Sequence, residues 1–292
     1  MPDHSVDQIV EIIANYIKNS KRVLIGGGAG LSASAGIDYT DTNTFLKLFP
    51  RWAEKGYRMQ YEFIGFKGWT EGERWAYWAT HVNHVFYEFP PSPVYRKIHD
   101  IVKGKDFYVI TSNADGMFIK SGFEPDRVFQ AQGNYERLMC MKSCTKETWD
   151  AKPFIDRAIT NIDHETFSVS DPSAIPACPS CGGPMTVAFR RREEYRQWAR
   201  NYQDWIDNIM DRKLTVMEFG VGFNTPGVIR RPFEYLVYSH NDVLFVRVNR
   251  SYQNYANTAH PEIPHEIQHK SISINDDAGR IINTLHSHML GS

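Results

Sequence analysis

The sequence predicts an α/β fold: a parallel sheet covered by helices, interrupted by a helical insertion and by a small metal-binding module. Three observations carry this. Short apolar or β-rich runs at residues 23–25, 107–110, 127–130, 214–219, 243–248 and 271–274 are separated in several places by stretches of helical periodicity. Between residues 45 and 89 stand fourteen aromatic residues, including Trp52, Trp69, Trp75 and Trp78, with little strand alternation. Between residues 134 and 185 the rhythm is lost, and that stretch holds all four cysteines.

The elements follow in order. Ser5-x-x-Gln8 is a capping-box pattern, and Val6, Ile9, Val10, Ile13 and Ile17 recur at helical spacing, so a helix is expected over 5–19, leading into the first strand. The aromatic segment reads as a compact helical insertion whose rings pack as core or as a lid; the neutral charge disfavours a stacking platform for single-stranded nucleic acid. Pro90, Pro91 and Pro93 end it, because consecutive prolines cannot continue a helix, and a helix over 94–102 returns to the sheet. Further helices are expected over 191–210 and 229–238. The expected division is a parallel-sheet domain (1–44, 94–135 and 186–292), an aromatic helical insertion (45–93) and a cysteine-bearing module (136–185).

A chain of 292 residues, 42% hydrophobic and 23% charged, is long enough to bury a full core. Its net charge of −1 leaves no basic footprint for nucleic acid, and there is no dense Lys/Arg run suited to a membrane surface. Arg190, Arg191 and Arg192 read as a solvated helix start. No export signal and no apolar run of roughly 18 residues is seen, so a cytoplasmic location is expected, with small molecules or proteins as partners.

The cysteines form two short-spaced pairs, Cys140-x-x-x-Cys144 and Cys178-x-x-Cys181, each able to place two thiolates on one tetrahedral ion. With all four used and no open position implied, a structural zinc is the expected occupant, and its binding would help fold so polar a segment. His260, His265 and His269 lie near Pro261 and Pro264, and read as loop histidines.

Gly26-Gly-Gly28-Ala29-Gly30 directly follows the first apolar run. A loop so stripped of side chains permits close backbone approach to a pyrophosphate, as in Rossmann-like domains, and a helix starting near Leu31 or Ser32 would add its amides. Alone this is a weak signal, because the acidic residue usual about 20 residues on is missing.

Taken with the residues downstream, the chain resembles the sirtuin family of NAD-consuming enzymes. Gly28, Ala29, Gly30, Ser32, Gly36 and Ile37 match that family's Gly-Ala-Gly-x-Ser-x-x-Ser-Gly-Ile loop, with Ala35 in place of the second serine. The family's Pro-Asp-Phe-Arg is replaced by Asp38-Tyr39-Thr40. Thr111-Ser112-Asn113-Ala114-Asp115-Gly116 resembles the element that holds nicotinamide, Gly220-Val221-Gly222 the loop near the adenosine ribose, and Val248-Asn249 and Asp277-Ala278 the ribose and adenine contacts. The resemblance implies NAD as co-substrate, with contacts at Gly28, Ala29, Gly30, Ser32, Ala33, Ile37, Asp38, Ser112, Asn113, Asp115, Gln132, Gly220, Gly222, Asn249, Arg250 and Ala278. Asn113, Asp115 and Gln132 are the implied catalytic set: Asn113 orients the nicotinamide ribose and its water, Asp115 the nicotinamide carboxamide, Gln132 the ribose hydroxyls.

One position departs decisively. Where sirtuins carry a histidine base before a glycine, this chain has Gln132-Gly133, and a carboxamide cannot take a proton at neutral pH. This matches the class M sirtuins of microbes, which replace that histidine and act as protein ADP-ribosyltransferases. That branch implies a lipoylated carrier resembling glycine cleavage H protein as acceptor, and a macrodomain hydrolase that reverses the mark. Two alternatives stay open: a lysine deacylase using Asp38 or Asp115 as base, and a catalytically silent NAD-sensing subunit.

Overall fold

The computed structural model describes residues 5–187, 193–209, 213–250 and 263–291; Arg190, Arg191, Arg192 and His260 fall outside these. The chain divides into two compact units, one of Met1–Gly36, Pro91–Gln132 and Glu193–Ser292, the other of Ile37–Pro90 and Gly133–Arg192. The aromatic and cysteine-bearing segments, separate modules on the sequence, thus share one unit.

The first unit holds a six-stranded parallel sheet. Its strands are β1 (Arg22–Gly27), β2 (Asp106–Thr111), β3 (Val128–Gln130), β4 (Leu214–Phe219), β5 (Val243–Val248) and β6 (Ser271–Ile274). Each coincides with an expected run. Their spatial order is β3-β2-β1-β4-β5-β6, so the winding direction reverses between β1 and β4, and the crevice beyond the carboxyl ends of those two strands is where such sheets bind ligands. Every residue of β1, β4 and β5 is buried, as a sheet covered on both faces requires. Leu24, Tyr108, Val216 and Phe245 pack with Trp205, Phe233 and Val237 of helices Glu193–Asp207 and Arg230–Ser239. Helix Val6–Asn19 has the expected capping box and buries Val10, Ile13, Ala14 and Ile17. Helix Ala278–Leu290, which the sequence reading does not include, packs beside it; Asp277 caps it, accepting from the Arg280 amide.

Each strand exit is stitched to its neighbour. The amides of Gly28, Gly220 and Asn249 donate to the carbonyls of Phe219, Val248 and Ile274 at 3.0, 2.9 and 3.1 Å, and Ser112 donates to Gly27 at 3.1 Å. Below these exits Glu218 and Arg247, opposite one another in register, are both fully buried and paired at 2.8 and 3.2 Å. Arg247 also reaches Glu234 at 2.8 Å. Burial pushes the Glu218 carboxyl up, against the pull of Arg247.

In the second unit the aromatic segment forms helices Thr42–Leu48, Pro50–Glu54 and Glu71–Val82. Phe63 lies at its centre, its ring 4.8–5.9 Å from those of Phe45, Trp52, Tyr57, Phe66, Trp69 and Tyr77. Rings packed on rings in this way form core. His81 is buried among them, Nδ1 2.6 Å from Gln60 Oε1 and Nε2 3.1 Å from the Tyr135 hydroxyl. The amide oxygen only accepts, so Nδ1 carries the proton and Tyr135 donates to Nε2. Burial lowers the imidazole to about 3, so it stays neutral. The cysteine segment forms a three-stranded antiparallel sheet with Arg137–Cys140 between Thr148–Asp150 and Met185–Val187. Among the described residues no helix is long and apolar enough to cross a membrane.

The two glycines after β4 make opposite demands. Gly220 has φ +62°, and a Cβ there would lie 2.1 Å from the Leu31 nitrogen and 2.4 Å from the Gly30 carbonyl carbon, whereas a Cβ on Gly222 meets nothing within 4 Å. Gly220→Ala is therefore expected to cost about 3 kcal/mol or more, from left-handed strain plus a backbone clash, and Gly222→Ala less than about 1 kcal/mol. Urea unfolding of both variants checks this; equal midpoints would overturn it.

Candidate active site

The site is built at the carboxyl ends of β1, β2 and β4. Thr111, the last residue of β2, donates from its hydroxyl to Gly27 at 2.9 Å and accepts from the Asn113 amide at 3.1 Å, which turns the chain across the end of β1. Asn113 then donates both hydrogens of Nδ2, to the Gly28 carbonyl and to Ser32 Oγ, each at 2.8 Å. Both amide hydrogens are thereby used within the protein. Ser32 donates to Asp115 Oδ2 at 2.5 Å, and Asp115 Oδ1 accepts from the Met117 amide at 2.8 Å. Asp115 is only 3% exposed. Burial pushes its carboxyl up, and the Ser32 and Met117 hydrogen bonds oppose that.

The glycine loop works by backbone approach. A Cβ on Gly28 would lie 2.5 Å from the Gly220 oxygen, and one on Gly30 would lie 2.8 Å from the Gly220 Cα. Helix Ala29–Ser34 is short, and the amides of Gly30 and Leu31 already donate to Gly220 and Gly28 at 2.9 and 3.0 Å. The amides expected to face a phosphate are in part committed within the protein.

Gln132 follows β3, held by the Ala131 amide on Thr111 at 2.9 Å and by the Tyr195 hydroxyl on the Ala131 carbonyl at 3.0 Å. Its Nε2 donates to Thr225 Oγ1 at 3.2 Å, in the loop after β4, so the amide oxygen is its remaining acceptor. A hydrogen-bonding group stands here with no capacity to remove a proton.

The other expected contacts divide. Ala29 and Ala33 lie on the short helix, Ser112 beside Asn113, and Gly222 in the exposed loop after β4. Asn249, nearly buried, donates from Nδ2 to Val221 at 3.2 Å; Arg250 is exposed; Ala278 is buried at the start of the last helix. Ile37 and Asp38 belong to the second unit, where Ile37 is buried and Asp38 Oδ1 accepts from the Thr40 amide and hydroxyl at 2.8 and 2.7 Å.

Two residues absent from the sequence reading, Thr225 and Tyr95, join the site, and Asp277, already named there with Ala278, finds a partner in Ser34. Thr225 holds the Gln132 amide. Asp277 accepts from Ser34 at 2.9 Å and ties the short helix to the last one. Tyr95 places its hydroxyl 3.2 Å from Ser32 Oγ. Tyr95 begins the buried stripe Tyr95, Ile98, Ile101 and Val102 of helix Pro93–Val102, a pattern that reads as plain core.

In the second unit the four cysteine sulfurs lie within 4.8 Å of one another, with Cys140 to Cys181 at 3.7 Å and Cys144 to Cys178 at 3.6 Å. Sulfurs about 2.3 Å from a tetrahedral zinc stand about 3.8 Å apart, so these residues fit that ion. Chiefly the Cys144 amide lowers the Cys140 thiol to about 6, while its sulfur neighbours, Cys181 first, push Cys144 up. The crowded Cys144 thiol holds its proton until a divalent cation takes its place, whereas Cys140 is the one set to ionise first.

Because the cysteine segment shares a unit with the aromatic core, stripping the metal is expected to abolish much of the near-ultraviolet aromatic dichroism and to expose residues 133–187 to protease, while the parallel sheet keeps its far-ultraviolet signal. One equivalent of zinc released by a chelator with both signals intact would overturn the structural role.

The Sir2 family model matches residues 28–214. A probable bifunctional ADP-ribose hydrolase/ADP-ribosyltransferase of Fusarium oxysporum f. sp. cubense is 32% identical across 94% of this chain and 47% of its own, so the chain spans about half the length of that relative. A protein ADP-ribosyltransferase of Staphylococcus aureus (strain Mu50) is 26% identical across 94% of this chain and 86% of its own. A solved structure described as the basis for mechanism and regulation of Sir2 enzymes shares the fold, with a TM-score of 0.59 at 17% identity over 96% of this chain and 97% of that one. With the glycine loop, the Asn113–Ser32–Asp115 cluster and the four-cysteine site each in place, the chain belongs to the Sir2, or sirtuin, family.

Proposed function

We propose that this chain is an NAD-dependent protein mono-ADP-ribosyltransferase, with a lipoylated carrier resembling glycine cleavage H protein as its acceptor. The observation that carries the reading is Gln132 at the position of the family's base, beside an intact Asn113–Ser32–Asp115 cluster. The parallel-sheet unit is the NAD-binding domain. In the reaction the bond from the ribose anomeric carbon to the nicotinamide nitrogen breaks, and nicotinamide leaves as a neutral molecule with the bonding electrons. A lone pair of the acceptor then bonds to that carbon, and the acceptor loses its proton to its own base or to water.

Each retained group suits the first step. Asn113 Oδ1 offers a fixed acceptor to the ribose or its water, and Asp115 offers carboxylate lone pairs to the nicotinamide carboxamide. Gln132, its Nε2 on Thr225, holds a ribose hydroxyl without deprotonating it. Deacylation needs that proton removed, and loss of a general base costs about 10²- to 10⁴-fold in rate. The Asp115 carboxyl is buried under its own hydrogen bonds and Asp38 is turned onto Thr40, which favours transfer over deacylation. Two relatives named as ADP-ribosyltransferases support the same reading. The Fusarium protein's name joins an ADP-ribose hydrolase to the transferase, in keeping with a macrodomain hydrolase that reverses the mark.

Intact-mass spectrometry tests this. A lipoylated carrier incubated with the protein and NAD is expected to gain one ADP-ribose, and an acetyl-lysine peptide is expected to stay unchanged. Asn113→Ala is expected to slow the transfer by about 100-fold. Gln132→His restores a base and is expected to bring measurable deacylation. Loss of acetyl from the peptide with the natural Gln132, and no gain on the carrier, would overturn the proposal.

A further inference from the structure

We propose that Tyr95 is a positioning residue for the nicotinamide end of this site, acting through Ser32 on Asp115; the proposal rests on the NAD reading given above. A count of protons carries it. Ser32 has one hydroxyl hydrogen, and the acceptor-only carboxylate of Asp115, 2.5 Å away, takes it. The two lone pairs of Ser32 then receive donors, one from Asn113 Nδ2 at 2.8 Å and one from the Tyr95 hydroxyl at 3.2 Å. Tyr95 is thereby the donor, and all three valences of the serine are filled. With both lone pairs taken by donors and its hydrogen on Asp115, the serine oxygen is held from three sides, and through it the Asp115 carboxylate and the Asn113 amide keep their places.

The phenol is suited to this task. Tyr95 is completely buried, and burial with the nearby Asp115 charge raises its hydroxyl well above the usual range, so it remains a donor. Its ring meets Phe118 edge-on at 4.7 Å, and Phe118 in turn fills the space that a Cβ on Gly27 would enter, 2.7 Å from that ring. The helix carrying it is fixed at its start, where Ser92 caps Val94 at 3.2 Å and donates its own amide to Ser121 at 3.1 Å. The hydroxyl is aimed by the fold and not by the ligand.

Tyr95→Phe removes the hydroxyl at constant ring shape and leaves one lone pair of Ser32 without its donor; the serine hydrogen stays on Asp115, but the serine oxygen is no longer fixed from that side. The expected effect is confined to ligands that carry nicotinamide. Calorimetric titration of the natural protein, Tyr95→Phe, Ser32→Ala and the double variant with NAD and with ADP-ribose reads it directly. Tyr95→Phe is expected to weaken NAD by about 5- to 10-fold, the equivalent of one buried hydrogen bond, and ADP-ribose by no more than about twofold. In the Ser32→Ala background Tyr95→Phe is expected to cost less than it does in the natural protein, because its route through the serine is already cut and only its contact with Asn113 remains. Equal losses for both ligands would assign Tyr95 to packing alone, and losses that multiply with Ser32→Ala would place its action elsewhere; either overturns the proposal. If the natural protein binds neither ligand, the NAD reading falls first and this one with it, whereas an NAD-selective loss supports both.

Discussion

The site depends on one backbone-to-backbone contact, where Gly28 and Gly30 meet Gly220. At the switch point of the sheet the exits of β1 and β4 approach so closely that a single methyl group on any of the three would overlap peptide atoms. The Gly30 amide closes the contact on the Gly220 carbonyl, and the Gly220 amide continues it to Val248. Asn113 then hangs on the Gly28 carbonyl, so the polar cluster inherits its position from the glycines. These glycines serve the protein's own close packing before they serve any phosphate.

On that frame sits a cluster in which nearly every valence is assigned. Asn113, Ser32 and Asp115 satisfy one another and the backbone. A buried carboxyl raised by desolvation is a costly thing to hold, and the two short donors to Asp115 are what make it tolerable. Gln132 fits the same logic. It can donate and accept hydrogen bonds but brings no titrating group.

Much of this was legible beforehand because it is local. All six sheet strands lie on the apolar runs, the capping box at Ser5 and Gln8 forms as written, and two short cysteine spacings predict a four-sulfur cluster. What was not legible depends on partners far apart in sequence. Tyr95 reads as one more core residue of a helical stripe, and only the fold brings it to Ser32, 63 positions earlier. The aromatic and cysteine segments look like separate modules because a sequence does not show that they share one unit. Helix Ala278–Leu290 has local signals in the Asp277 cap and in the spacing of Ile281, Ile282 and Leu285.

The Glu218–Arg247 pair explains how strands so uniformly apolar find a single register. β4 and β5 are buried on both faces, so hydrophobic patterning alone scarcely penalises a slip of one residue. A slip would carry Glu218 and Arg247 to opposite faces of the sheet and break the buried pair, at a cost of about 3–5 kcal/mol. As a net source of stability such a pair is weak, because desolvation offsets most of the attraction. Its worth lies in register. Gly220 and Asn249 each stand two residues beyond a member of the pair, so the pairing that aligns β4 with β5 also decides where the glycine turn and the loop after β5 emerge.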